Sequence, residues 1–254
     1  MLEVIDIKKS FGGVEALRGC SLSIAKATIT GLIGPNGAGK TTLFNVISGI
    51  LKPDGGEIRF NNEKIDGLPT HLIARKGLLR TFQIPRVLNR MTVTENLLLY
   101  SKEQFGERIW PNFLQHHRVL RQEKEIQERA KEVLEFANLF PLRNAYAMEL
   151  SGGQKKLLEL ARVLMADPQI ILLDEPGAGV NPTLMNELIK RIQQLKEKGI
   201  TFLLIEHDMD LVLKLCEPVI VMTEGKRLTE GSFLDIRWDP RVLEAYLGKR
   251  QWNS

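Results

Sequence analysis

Gly34-Pro35-Asn36-Gly37-Ala38-Gly39-Lys40-Thr41-Thr42 is the most informative run in this chain. It satisfies G-x-x-x-x-G-K-[ST], the pattern of a phosphate-binding loop. Its flanks agree: Thr28-Ile29-Thr30-Gly31-Leu32-Ile33 before it is β-branched and apolar and predicts a strand. After it, Leu43, Val46 and Ile47 recur at helical spacing. Small residues between a strand and a helix let successive backbone N–H groups turn inward around a polyphosphate. The positive end of the helix dipole stands behind them. Gly37 and Gly39 remove the Cβ atoms that would block the approach. Lys40 is expected to bring a point charge to the β- and γ-phosphates, and Thr41 an oxygen to Mg²⁺. All nine residues from Gly34 to Thr42 are therefore candidate contacts for a nucleoside triphosphate.

The rest of the composition is that of an ordinary water-facing chain. Its 254 residues are 43% apolar and 26% charged, enough for one large domain or two closely packed lobes. The formal net charge of +4 is accounted for by nucleotide phosphates as readily as by nucleic acid, so it names no partner. Cys20 and Cys216 have no partner at metal or redox spacing and read as small core hydrophobes in a reducing compartment. Met1-Leu2-Glu3-Val4-Ile5-Asp6-Ile7 alternates like a strand and lacks the layout of a signal peptide. Apolar runs such as Ile170-Ile171-Leu172-Leu173 fall far short of a membrane span. The expectation is a cytoplasmic chain that does not cross a membrane by itself.

Residues 2–8 and 20–33 read as strands around a turn at Phe11-Gly12-Gly13. Pro53-Asp54-Gly55-Gly56 turns the chain into a strand over residues 57–60. A short helix over 70–77 and a strand over 78–82 follow. From about 94 to 147 strand signals vanish. Val119, Ile126, Ala130, Val133, Leu134 and Ala137 share one helical face amid Arg, Lys, Gln and Glu, which predicts a helical insertion. Helices over 152–166, 183–198 and 208–215 then alternate with strands over 170–174, 201–205 and 218–223. Such alternation predicts an α/β fold with a parallel-containing sheet, the middle helices forming a sub-domain.

Two further stretches carry chemistry. Ile170-Ile171-Leu172-Leu173-Asp174-Glu175-Pro176 is an apolar strand ending in two acids, and a run apolar on both faces suits a central parallel strand. Asp174 is placed to hold Mg²⁺ opposite Thr41. Glu175 can point at a water in line with the γ-phosphate and accept its proton. Leu150-Ser151-Gly152-Gly153-Gln154 precedes an amphipathic helix; Ser151 can cap it, and the two glycines bare its first N–H groups as a second anion-seeking helix start.

Leu-Ser-Gly-Gly-Gln about 110 residues after a phosphate loop, and shortly before Leu-Leu-Asp-Glu-Pro, resembles an ABC-type ATPase over practically the whole chain. The resemblance implies a single ATPase domain over 1–254. Its P-loop NTPase (RecA-like) core would carry a mixed sheet and an N-terminal antiparallel β portion, with a helical sub-domain at about 94–165. It implies ATP and Mg²⁺ as cofactors. Phe11 would stack on adenine, Gln83 would reach the Mg²⁺ site and sense a membrane partner, and His207 would contact the γ-phosphate. Ser151, Gly152, Gly153 and Gln154 would contact the ATP of a partner ATPase subunit in a head-to-tail pair, homodimeric or heterodimeric. Gly177-Ala178-Gly179-Val180-Asn181 matches the segment that crosses between subunits; Asn181 departs from the family's usual Asp. Phe11-Gly12-Gly13-Val14-Glu15-Ala16-Leu17, Arg80-Thr81-Phe82-Gln83-Ile84-Pro85-Arg86, Ile205-Glu206-His207-Asp208-Met209 and Glu244-Ala245-Tyr246-Leu247-Gly248 look like the ATP-binding subunits of branched-chain amino acid importers. Close relatives of that type serve urea uptake and lipopolysaccharide export. The implied partners are polytopic permease subunits docking near Gln83 and the helical insertion, with a solute-binding protein acting indirectly and no nucleic acid. The implied location is peripheral, at the cytoplasmic face of the inner membrane. Soluble ABC-type ATPases of nucleic acid or ribosomes are the competing class, but they carry long coiled coils or two cassettes. A P-loop regulatory module without hydrolysis would have no use for Glu175 and His207.

Overall fold

In the computed structural model, residues 1–81, 87–101 and 116–247 are described. The first strand, β1 (Leu2–Phe11), begins with strict alternation, Leu2 and Val4 inward and Glu3 and Ile5 outward. Asp6 then adopts φ 49°, which shifts the register and returns Ile7 to the buried face. A bulge of this kind increases local twist without losing the apolar face. β1 pairs antiparallel with β2 (Val14–Ile24) on one side and with β4 (Gly55–Phe60) on the other. A two-residue β5 (Glu63–Lys64) extends this sheet, whose order is β2-β1-β4-β5.

The second sheet has the order β10-β9-β3-β8-β7-β6. Its members are β3 (Ile29–Ile33), β6 (Leu78–Arg80), β7 (Ile170–Asp174), β8 (Thr201–Ile205), β9 (Val219–Thr223) and β10 (Lys226–Gly231). β9, β3, β8, β7 and β6 run parallel, and β10 closes the edge antiparallel to β9. Every residue of β3, β7 and β8 is buried, as the continuous apolar runs require. The phosphate-loop helix α1 (Lys40–Ile47) buries Leu43, Phe44, Val46 and Ile47, and the same core takes in Leu2, Ile7 and Phe60 of the first sheet and Ile73 of the short α2 (Thr70–Arg75).

Two expectations are corrected here. The single strand predicted over 20–33 is two strands in two sheets: β2 ends at Ile24 and β3 starts at Ile29. Between them Ala27 takes φ 56° and donates its N–H to Thr201 Oγ1 at 3.0 Å, turning the chain from one sheet into the other. The strand predicted over 78–82 ends at Arg80, and Phe82 lies outside the described residues.

The chain divides into two compact units. Both sheets lie in the first, made of residues 1–80, 169–177 and 192–254. The second comprises residues 81–168 and 178–191. It holds α3 (Val93–Leu98), α4 (His116–Phe136) and α5 (Gly152–Leu164). α3 starts with a capping box between Thr92 and Glu95, and buried Asn96 ties the preceding loop down by exchanging hydrogen bonds with both backbone groups of Leu88. On α4 the expected stripe is realised at Ala130 and Leu134, both buried. Among the described residues no helix is long and apolar enough to cross a membrane. Cys20 and Cys216 are buried thiols; loss of hydration pushes them up to about 11 and about 12.

Candidate nucleotide site

Three glycines shape the phosphate loop. Gly34, Gly37 and Gly39 take φ of 150°, 81° and 96°, a region that side chains disfavour. Gly34 is the most constrained, since a Cβ there would lie 2.1 Å from the Met222 carbonyl oxygen. Gly39 caps α1 in the left-handed conformation with no side chain bonded to the first N–H groups, leaving the helix start to backbone donors alone. The loop is also closed on itself: Ala38 N–H donates to the Pro35 carbonyl at 3.2 Å, and Lys40 Nζ donates to the carbonyls of Gly34 at 2.7 Å and Pro35 at 3.1 Å. Burial holds the Lys40 ammonium below its ordinary value, while the nearby Glu175 and Asp174 carboxylates push it back up.

Around this loop lies a cleft of about 660 Å³ whose walls include Asn36, Thr41, Thr42, Glu175 and His207. Glu175 occupies a left-handed φ of 48° just beyond β7 and donates its N–H to the Ile205 carbonyl at 2.9 Å. Non-glycine residues persist in that region only where their surroundings over-determine them. The carboxylate is thereby aimed at His207, whose Nε2 stands 3.1 Å from Glu175 Oε1. The cleft thus unites the phosphate loop with the two residues expected to act on the γ-phosphate.

Asp174 ends β7, buried, with Oδ2 at 2.7 Å from Arg80 Nη2. Among the described residues no cluster of His, Cys, Asp and Glu forms a self-sufficient metal cage. A nucleotide-borne Mg²⁺ takes one or two protein oxygens together with substrate phosphates. A buried carboxylate at the strand end and the Thr41 hydroxyl on α1 are the oxygen donors such a nucleotide-borne ion takes. Phe11 ends β1 with its ring half-exposed and Lys9 Nζ at 5.7 Å from its centroid. Gln83 lies outside the described residues.

The signature stretch is in the second unit. Ser151 Oγ accepts the Gln154 N–H at 3.3 Å, and Gln154 Oε1 accepts the Ser151 N–H at 2.9 Å, a complete capping box. The two glycines behave differently: Gly152 has open space, whereas a Cβ on Gly153 would meet Leu184 at 2.4 Å. Asn181 caps the next helix, α6 (Pro182–Glu197), its Oδ1 accepting the Leu184 N–H at 2.9 Å. An amide oxygen performs this capping as well as a carboxylate would.

Sequence reasoning missed Glu206. It is almost fully buried, and its carboxylate accepts N–H bonds from Gly177 at 2.7 Å and His207 at 3.0 Å. Desolvation raises its proton affinity and the backbone donors partly offset that. It ties the backbone segment after Glu175 to that of His207. A lone Glu between Ile205 and His207 carried no periodic signal. Tyr246 is a second such residue: burial raises the pKa of its phenol, and the Gly34 backbone partly offsets that.

The sequence model of a family described as ABC transporter matches residues 17–178. The "Probable branched-chain amino acid transport ATP-binding protein LivG" of Archaeoglobus fulgidus is 44% identical over 248 residues, 98% of this chain and 95% of that protein. The "High-affinity branched-chain amino acid transport ATP-binding protein BraF" of Pseudomonas aeruginosa is 42% identical, covering 98% of each. Among solved structures, a nucleotide-free ATP-binding cassette from an ABC transporter superposes with a TM-score of 0.85 at 42% identity, over 98% of this chain and 99% of that one. A dimeric, post-hydrolysis ATP-binding cassette bound to ADP and phosphate superposes with a TM-score of 0.75 at 26% identity, over 92% and 99%.

Proposed function

The chain belongs to the ABC transporter family, and from that premise we propose that it is the ATP-hydrolysing subunit of an importer of branched-chain amino acids. The observation that carries the ATPase reading is the Glu175–His207 pair at 3.1 Å on the wall of the phosphate-loop cleft. The backbone N–H groups of Gly37, Gly39 and the first turn of α1 cradle the phosphates, with Thr42 at the helix start, and Lys40 neutralises charge that develops on the β–γ bridge. Phe11, exposed at its strand end, offers its ring to adenine. Mg²⁺, when bound, would neutralise phosphate charge, and Thr41, Asp174 and Gln83 are the residues that would hold it. Glu175 accepts the proton of a water whose oxygen attacks the γ-phosphorus as the bond to the β-bridging oxygen breaks. His207, hydrogen-bonded to Glu175, contacts the γ-phosphate and orients that base.

An ATPase of this family works with membrane permease subunits and as a dimer. The finer arrangement is our reading. Two copies, or this chain and a sister, pair head to tail so that Ser151, Gly152, Gly153 and Gln154 of one close on the γ-phosphate held by the other. The pair sits on the cytoplasmic face of the membrane, where permeases dock near Gln83 and the helical unit, and a solute-binding protein delivers the cargo. The identity of more than 40% to two ATPases of branched-chain amino acid transport supports that cargo over urea or lipopolysaccharide.

Replacing Glu175 by Gln tests the reading. The amide keeps size and hydrogen bonding but cannot take a proton, so turnover should fall by about 10²–10⁴. ATP and Mg²⁺ binding should remain, and the variant should accumulate as an ATP-bound dimer on gel filtration. A variant that hydrolyses ATP at the parent rate would place the base elsewhere.

A further inference from the structure

We propose that Arg80 is a positioning residue for Asp174, locking its carboxylate to the phosphate-loop helix in the orientation that receives the nucleotide's divalent cation. The inference rests on the assignment of Asp174 as a metal-site residue. Arg80 is the last residue of β6, next to β7 and in register with Leu172. One arm of its guanidinium, Nη2, donates to Asp174 Oδ2 at 2.7 Å. The other, Nη1, donates to Asn45 Oδ1 at 2.6 Å and to Ser48 Oγ at 3.4 Å. Asn45 lies on α1 and Ser48 ends it; the Ser48 hydroxyl itself donates to the Phe44 carbonyl at 2.7 Å. The guanidinium carbon stands 5.5 Å from the centre of the Phe44 ring. Both charged side chains are more than nine-tenths buried, at 7% and 9% exposure.

Burying an arginine is costly unless its donors are matched, and here the fork matches groups from two elements at once. A carboxylate held through one oxygen cannot spin about its Cβ–Cγ bond. The position of that oxygen is set by α1, the helix that also carries Lys40 and Thr41. Asp174 and the phosphate cradle are thus fixed to one another by a single side chain. Partners that orient a metal-binding carboxylate typically control affinity for the ion by 10–100-fold.

The test measures Mn²⁺ binding to the full-length ADP complex by electron paramagnetic resonance, alongside ADP affinity in EDTA and urea unfolding. Arg80→Gln and Arg80→Lys should each weaken Mn²⁺ binding about 10–100-fold, with metal-free ADP affinity kept. Arg80→Lys should restore most of the stability, because the charge stays, but not the ion affinity, because an ammonium lacks the fork. Asn45→Ala, which removes the shorter of the two bonds made by Nη1 and leaves the Asp174 pair intact, should weaken Mn²⁺ by a smaller factor. If Arg80→Gln does not fold, Arg80→Lys and Asn45→Ala decide. Mn²⁺ affinity equal to the parent's in folded Arg80→Lys, or in Asn45→Ala, overturns the positioning role. Asp174→Asn separates the two readings: if it binds Mn²⁺ like the parent, the assignment of Asp174 fails, whereas its loss beside an intact Arg80→Lys sinks only the inference.

Discussion

Adding one methyl group to each signature glycine in turn should give opposite results. Gly152 and Gly153 are the first two residues of α5. Gly→Ala in a helix gains about 0.5–1 kcal/mol from reduced freedom of the unfolded chain, and that gain is common to both sites. At Gly152 the new Cβ meets nothing within 4 Å. At Gly153 it would lie 2.4 Å from Leu184 Cδ1, 3.3 Å from Cγ and 3.2 Å from Cβ. Rotation of the leucine can relieve the first contact. The Cβ contact yields only to a backbone shift, so overpacking of about 1–3 kcal/mol remains. The propensity term cancels between the variants, so Gly152→Ala should be the more stable by about 1–3 kcal/mol. Urea unfolding followed by circular dichroism measures the difference. Leu184→Ala should remove most of the penalty of Gly153→Ala, giving a favourable coupling in the double-mutant cycle. Equal stability of the two alanine variants, or no coupling with Leu184, would refute the assignment of Gly153 to packing and of Gly152 to the open face.

Lys40→Met removes charge-assisted hydrogen bonds to phosphate, each about 1.5–3 kcal/mol, so ATP affinity should fall about 10–150-fold in a variant of unchanged circular dichroism. The Lys40 ammonium is held below 10.5 by burial, so the folded protein releases this proton at lower pH than the unfolded chain does. Its contribution to stability therefore rises with pH through that alkaline window, while ATP affinity, which needs the charge, falls there; subtracting the Lys40→Met titration from the parent's, which removes the slope of groups common to both such as Cys20 and Cys216, should leave that rise. Gly34→Ala combines a Cβ 2.1 Å from the Met222 carbonyl with φ 150°, and should lose about 3 kcal/mol or more in urea unfolding. Ser151→Arg removes a cap, costing about 0.5–2 kcal/mol, and should leave ATP binding to the monomer intact while gel filtration shows no ATP-dependent dimer.

Much of the fold was legible because its signals are local. Ile170–Asp174 is apolar at four successive positions, and all five of its residues are buried. Ser151 with Gln154 three residues later announces the start of α5, and the capping box forms there. The phosphate loop needed only spacing and its flanks. What could not be read depends on partners far apart in the chain. Nothing in the sequence joins Arg80 to Asp174, 94 positions later, since the pair exists only because β6 and β7 are neighbours. Glu206 looks like any acidic residue until Gly177, 29 positions earlier, is found donating to it. The break between β2 and β3 was hidden because Ala25, Lys26 and Ala27 contain neither glycine nor proline to mark a turn.

ATP hydrolysed at Glu175 should drive uptake of a branched-chain amino acid, and transport into proteoliposomes measures that coupling. The chain would be reconstituted with its membrane subunits and solute-binding protein, and accumulation of labelled leucine, isoleucine or valine followed with ATP on the nucleotide-binding side. Accumulation against a gradient is expected with the parent chain, and none with Glu175→Gln despite normal assembly and ATP binding. Accumulation that persists with Glu175→Gln at the parent rate, or ATP hydrolysis by the parent complex that moves none of the three amino acids, would contradict it.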